Sequence, residues 1–219
     1  MCDDGCLAQR RLTREENKAI TRARLLEGAA KVFAKRGFHR ASVDEIAEEA
    51  GFSTGALYSN FDGKEDLFLA LLDEHLAAIV RDISEAAHQG ATALDRARGA
   101  AEHFMANLER DHDLILLFIE FWSYAVRDPE LRPRIAARLG AGRDAVARMV
   151  ADGAEELGIA TPISPERLGI AIAALANGLA LEKLADPDAV PDGLFAEVVT
   201  LLLGTLTPAE GSLDSSPAE

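Results

Sequence analysis

The stretch Ser42-Val43-Asp44-Glu45-Ile46-Ala47-Glu48-Glu49-Ala50-Gly51-Phe52-Ser53-Thr54-Gly55-Ala56-Leu57-Tyr58-Ser59-Asn60 decides the fold. Ser42 and Glu45 stand in capping-box register: the Ser42 hydroxyl can accept the Glu45 amide while the Glu45 carboxylate reaches back. They open a short helix to Ala50, where Gly51 can take the positive φ of a tight turn. Ser53 caps a second short helix through about Asn60. Ala47 and Ala50 are small enough for close helix approach, and Phe52 and Leu57 supply apolar filling. Two short helices on so tight a turn predict a helix-turn-helix, with the later helix entering a major groove. Its outward residues, Thr54, Gly55, Ala56, Tyr58, Ser59 and Asn60, are small or hydrogen-bonding, as a groove-entering surface requires.

Working outward, helical periodicity runs almost from end to end and no stretch alternates with period two. A helix over about Glu15–Arg36 precedes the motif, with apolar positions Ile20, Ala23, Leu26, Ala30 and Phe33, and Gly37 stops it. A long helix follows from Lys64 to about Ala87. Further helices are expected over about 94–110, 113–126, 131–157, 164–185 and 193–206, the fourth capped by Ser164 and the third loosened at Gly140 and Gly142. The fold class is all-α. The expected organisation is a flexible arm over 1–14, a helix-turn-helix domain over 15–63, a helical effector-binding and dimerisation domain over 64–208, and a disordered tail over 209–219.

The net charge of -14 argues against nucleic acid until it is divided. Residues 1–64 hold 11 Lys and Arg against 10 Asp and Glu, while the rest of the chain holds 12 against 27. A basic N-terminal section on an acidic body is the asymmetry expected when one end meets phosphate. Cys2 and Cys6 are too few and too close together to staple a fold or complete a zinc site, so a reducing cytoplasm is the simplest setting. No signal peptide is visible, and the apolar runs at 114–122 and 170–181 are read as too short and too interrupted to span a membrane.

Gly51-Phe52-Ser53-Thr54-Gly55-Ala56-Leu57-Tyr58-Ser59-Asn60-Phe61, followed by Lys64-Glu65-Asp66-Leu67, closely resembles the DNA-binding signature of the TetR (tetracycline repressor) family. Ala29-Ala30-x-Val32-Phe33-x-x-x-Gly37-Phe38 and Ser42-Val43-x-x-Ile46-Ala47 are similar to that family's first two helices. The resemblance covers about residues 15–72. It implies a homodimeric repressor on a pseudo-palindromic operator, released by a small molecule, with no catalytic residue, metal or cofactor. It also implies that Tyr58 and Lys64 anchor phosphates, with Ser42 and the amides at Ser53 and Thr54. Thr54, Gly55, Ala56, Ser59 and Asn60 would face base edges. Asp44 stands where some members place a basic reader; here it accepts from a cytosine amine or repels phosphate. Tyr58 has a core reading beside its phosphate one, and Asn60 a helix C-cap reading beside its base-edge one.

The family likeness implies that the last two helices pair with their copies. The apolar faces carrying Leu168, Ala171, Ile172, Leu175, Gly178, Leu179 and Leu181, and Phe195, Val198 and Leu202, agree with such a four-helix bundle. The resemblance also implies an effector pocket, for which Phe104, Leu108, Phe118, Phe121, Trp122, Met149 and Asn177 are candidate lining, against the alternative of dry core. An apolar lining calls for a hydrophobic or amphipathic effector, with Glu120 favouring a lipophilic cation if it faces the pocket. His103 reads as a hydrogen-bonded or exposed histidine. Two readings compete: the acidic half docks a partner protein, or the Glu-x-x-His pairs Glu85–His88 and Glu109–His112 make a di-iron enzyme, although both pairs sit at helix ends.

Overall fold

The computed structural model describes residues 13–87, 90–159 and 161–204. Among these residues the chain forms nine α-helices: α1 Arg14–Arg40, α2 Val43–Glu49, α3 Thr54–Tyr58, α4 Lys64–Ala87, α5 Ala93–Arg110, α6 His112–Ala125, α7 Leu131–Leu157, α8 Pro165–Ala185 and α9 Leu194–Gly204. The described residues form two compact units that divide between Leu72 and Asp73. The division falls inside α4, where an uninterrupted helix leaves no loop to mark it. Thr13 and Arg14 leave the expected arm: Thr13 accepts from the Glu16 amide and receives the Glu16 carboxylate on its own N–H, a full capping box. The rest of the arm, both cysteines and the tail over 209–219 lie outside the described residues.

In the first unit, Gly37 takes φ 74° and breaks α1 one turn before its nominal end, as expected from its lack of a Cβ. The buried stripe of α1 is Leu25, Leu26, Ala29, Val32 and Phe33. Only Leu26 and Phe33 of the expected apolar series belong to it, because Ile20, Ala23 and Ala30 stand exposed. Phe33, Phe38 and Phe68 form an aromatic triangle with centroids 5.5–5.8 Å apart, fastening the two ends of α1's final turns to α4. Each such pair contributes ~0.5–1.5 kcal/mol beyond the area it buries. At Gly28 the backbones of α1 and α2 meet so closely that an added Cβ would lie 2.9 Å from the Ala50 Cβ and 3.1 Å from the Ile46 carbonyl oxygen.

In the second unit, α7 and α8 pack side by side and α5 lies along α9. Their shared core is Ala101, Val150, Leu168, Ile172, Ala176, Phe195, Ala196 and Val199. α7 passes through Gly140 and Gly142 without a break. Ser164 stands before α8 but makes no cap bond, and Pro165 supplies the preset φ of the first turn. α8 is 21 residues long and, by length and composition, apolar enough to cross a membrane, longer than the run read from sequence. The Leu168, Ile172, Ala176 and Ala180 stripe of this helix is nonetheless buried in the protein.

Candidate functional site

The expected turn chemistry of the helix-turn-helix is present residue by residue. The Ser42 hydroxyl accepts from the Glu45 amide at 3.2 Å, and Glu45 accepts from the Ser42 N–H at 3.2 Å. The Ser42 amide and hydroxyl hold the Glu45 carboxyl below its ordinary range, with Arg36, 3.0 Å away, adding to the effect. Gly51 takes φ 75°, and the Ser53 hydroxyl accepts from the Ala56 amide at 3.2 Å. Leu57 is fully buried and Phe52 half-buried, so α3 is held to the unit by one side.

The opposite side of α3 leaves Ser53, Gly55, Tyr58 and Ser59 exposed, with Thr54 and Ala56 half-buried. Tyr58 is 57% exposed, which removes the core reading of its ring. Asp44 and Thr54, both expected to meet DNA, meet each other first: the Thr54 hydroxyl donates to Asp44 Oδ1 at 2.8 Å. This bond ties α2 to α3 and commits the only hydroxyl proton of Thr54. What the pair offers outward is therefore lone pairs, not donors.

Lys64 and Asn60 are placed otherwise than the sequence suggests. The Lys64 ammonium donates to the carbonyl oxygens of Phe38 and His39 at 3.2 Å and of Ala41 at 3.4 Å, and lies 4.8 Å from the Phe38 ring centre. An ammonium has three donors, and all three are occupied by the carbonyls that end α1. Asn60 donates from Nδ2 to the Ala56 carbonyl at 2.8 Å and to Ser59 Oγ at 3.1 Å, folding back on the end of α3 instead of reaching outward. The Ser59 hydroxyl likewise donates to the Ala56 carbonyl at 2.7 Å. Sequence reasoning missed Arg22, whose guanidinium stacks 4.1 Å over the Phe61 ring and donates to the Asn60 carbonyl at 3.1 Å.

The expected effector lining is not brought together. Phe121 is fully buried, Phe104 packs against Phe195 with centroids 5.8 Å apart, and Phe118 is half-buried. Trp122, Met149 and Asn177 are exposed, and the Leu108 side chain lies outside the described residues. Glu120 is half-buried on α6, and His103 Nε2 stands 3.9 Å from Asp82. Two depressions flank α5. One, of about 520 Å³, is lined by Gly99, Glu102, His103 and Ala106 with Ala86 and Asp95. The other, of about 230 Å³, is lined by Ala101, Met105, Ala106 and the start of α9.

Away from the lining of both depressions, α5 carries a residue that sequence reasoning passed over. Asn107 is 3% exposed, and neither Nδ2 nor Oδ1 has a hydrogen-bond partner among the described residues. Each unpaired buried polar group costs ~1–3 kcal/mol. The signal was available: Asn107 falls on the helical face of Ala100 and Phe104, where an apolar residue is the rule.

The expected dimer residues divide. Leu168, Ile172 and Phe195 are buried within this one chain, and Leu175 and Leu179 pack against the same core, so they hold the unit together. Ala171, Gly178 and Leu181 of the expected α8 face do stand outward, beside Ile170 and Ala174, with Ile170 54% and Leu181 49% exposed. On α9 Leu201 is 66% exposed, Leu202 is exposed and Val198 half-buried. Of the Glu-x-x-His pairs, His88 and the Glu109 side chain lie outside the described residues. Among the described residues no group of three or more His, Cys, Asp or Glu could hold a metal.

Residues 25–71 match the family model described as bacterial regulatory proteins, tetR family, and residues 93–208 match the C-terminal model of BetI-type transcriptional repressors. The chain is 30% identical over 184 residues to the transcriptional activator FasR of Mycolicibacterium smegmatis, covering 84% of this chain and 81% of that one. It is 30% identical over 184 residues to the transcriptional repressor AcnR of Corynebacterium efficiens, covering 83% and 90%. Among solved structures it is similar to the regulator FadR of Bacillus subtilis in complex with stearoyl-CoA, with TM-score 0.68, 21% identity, and 84% and 97% of the two chains covered. A likeness at that identity shows the fold alone.

Proposed function

The chain belongs to the TetR family of bacterial transcriptional regulators, and from that premise we propose that it is a cytoplasmic homodimeric repressor released from its operator by a fatty acyl thioester. Operator binding follows from the family and from the outward side of α3. The exposed Tyr58 is the observation that carries the interface, since an aromatic phenol at a surface invites a phosphate and fills no core. With Lys64 occupied, phosphate contact rests on Tyr58, Ser42 and the amides at Ser53 and Thr54, while Gly55, Ala56 and Thr54 approach base edges. The di-iron alternative falls with the family, which is one of regulators, not enzymes.

The dimer reading is supported by α8, apolar around most of its circumference apart from Asn177 and the charges at its two ends, while the chain itself buries only one stripe. Ala174 and Gly178 allow two copies of α8 to approach closely, with Ile170, Leu181, Leu201 and Leu202 closing around them. The acyl reading is supported by the apolar core that α5 shares with α7, α8 and α9 and by the ligand of the Bacillus FadR structure. Repression is favoured by the C-terminal match and by AcnR, against the activator FasR.

The test is fluorescence anisotropy on an operator selected from a random duplex pool, with stearoyl-CoA titrated into the complex. Release at stoichiometric ligand, with free coenzyme A inert, is expected. Binding to operator that no acyl-CoA weakens would overturn the effector class and leave the regulator reading in place. Leu181→Glu should give a folded monomer with operator affinity lost, whereas Ile172→Glu should unfold the second unit. A dimer surviving Leu181→Glu would remove the proposed face.

A further inference from the structure

Resting on the acyl reading, we propose that Asn107 is the polar anchor of the effector and pairs with a secondary amide, a group that donates and accepts together. The Asn107 carboxamide carries donors on Nδ2 and an acceptor on Oδ1, both buried and both unpartnered among the described residues. Folding tolerates such a group at a cost, and a position on the Ala100 and Phe104 face offers an apolar alternative at every turn. A thioester carbonyl can only accept, so it satisfies Nδ2 and leaves Oδ1 bare. A secondary amide satisfies both: its carbonyl accepts from Nδ2 and its N–H donates to Oδ1. Acyl thioesters of coenzyme A carry such amides in the pantetheine arm, next to the thioester, whereas free fatty acids do not. Asn107 thereby separates carrier-bound acyl groups from free ones, using a polar contact inside an otherwise apolar core.

The probes are S-lauroyl-N-acetylcysteamine, which holds one amide beside its thioester, and the analogue in which that N–H is replaced by an ester oxygen. Both are titrated calorimetrically into the full-length protein. A site built around a hydrogen bond rejects the analogue that leaves a buried group unpaired, so the ester should bind about tenfold more weakly or worse. In Asn107→Leu the two probes should bind alike, and the melting temperature should rise because the unpaired amide is gone. Equal binding of both probes by the wild type overturns the inference, whether water or another residue satisfies Asn107. Retained amide preference in Asn107→Leu overturns it as well. Failure of the wild type to bind either probe overturns the acyl reading beneath it. Should Asn107→Leu not fold, Asn107→Ser takes its place, and the wild-type comparison stands without any variant.

Discussion

Replacing Lys64 by methionine keeps the aliphatic stem and removes the ammonium. Three hydrogen bonds to the Phe38, His39 and Ala41 carbonyls are lost with it, at 3.2, 3.2 and 3.4 Å. The cation over the Phe38 ring at 4.8 Å also goes. Bonds from a charged donor are worth ~1.5–3 kcal/mol each when short and dry. These are long, and Lys64 is half-exposed, so the set is worth about one such bond. The cation–π contact adds ~0.5–1 kcal/mol. The expected loss is therefore ~2–4 kcal/mol, read as a lower urea midpoint at unchanged slope. In the same variant the salt dependence of operator binding should stay as in wild type, because no phosphate contact has been removed. A variant of wild-type stability whose salt slope falls by about one unit per half-site would refute this; Lys64 would then be the free phosphate anchor that its position in the sequence suggested.

Gly28→Ala should destabilise by ~1–2 kcal/mol in urea unfolding, because overpacking against Ala50 and Ile46 exceeds the ~1 kcal/mol of helix propensity gained. A more stable variant would show that α1 and α2 can separate freely. His75 is half-buried, and burial lowers its pKa from 6.5 while Asp111, 4.0 Å away, opposes this more weakly. The unfolded chain then binds the proton more readily, so this group's contribution to stability is intact above pH 6.5 and is lost as the pH falls from there towards the lowered folded value. His75→Gln should flatten that part of the stability profile, and an unchanged slope would contradict it. Asp44→Ala should free the Thr54 hydroxyl to donate and so shift operator preference at one position from an amine-bearing base toward an acceptor base. Selection from a random pool returning the wild-type site would remove Asp44 and Thr54 from base reading.

What the sequence made legible is what acts within four residues. The Ser42–Glu45 box, the Ser53 cap and the left-handed turns at Gly37 and Gly51 depend on neighbours in the chain, and each is found where its residues stand. Burial is a different matter, since it depends on which elements meet. α1 offers Ile20, Ala23 and Ala30 as readily as Leu25, Ala29 and Val32, and only packing against α2 and α4 selects the second set. α8 is the extreme case: apolar on most sides, it cannot say which row meets its own chain, so the expected face mixes Leu168 and Ile172, which are buried, with Leu181, which stands exposed. The contacts of Lys64 were illegible for a related reason, since its partners lie 23 to 26 residues upstream. Asn107 was legible but unread, because one polar residue in an apolar face resembles an ordinary surface position until its burial is known.

The electrostatics of the chain separate attraction from recognition. Beyond residue 64 the chain holds 12 bases against 27 acids, so most of its length repels DNA of any sequence. Asp44, exposed next to Thr54, sets a further negative charge on the recognition side itself. Lys64, the one cation at the head of α4, is turned onto carbonyls. Each of these lowers the sequence-independent part of binding, which is carried by phosphate neutralisation. None of them lowers the part carried by base edges, and the Asp44–Thr54 lone pairs add to it where an amine faces them. Specific affinity must then come from a few directional contacts. A regulator built this way leaves random duplex readily. Restoring a base at position 44 should therefore raise affinity for scrambled duplex more than for operator, and narrow the ratio between them. A ratio that widened would mean Asp44 takes no part in suppressing non-specific binding.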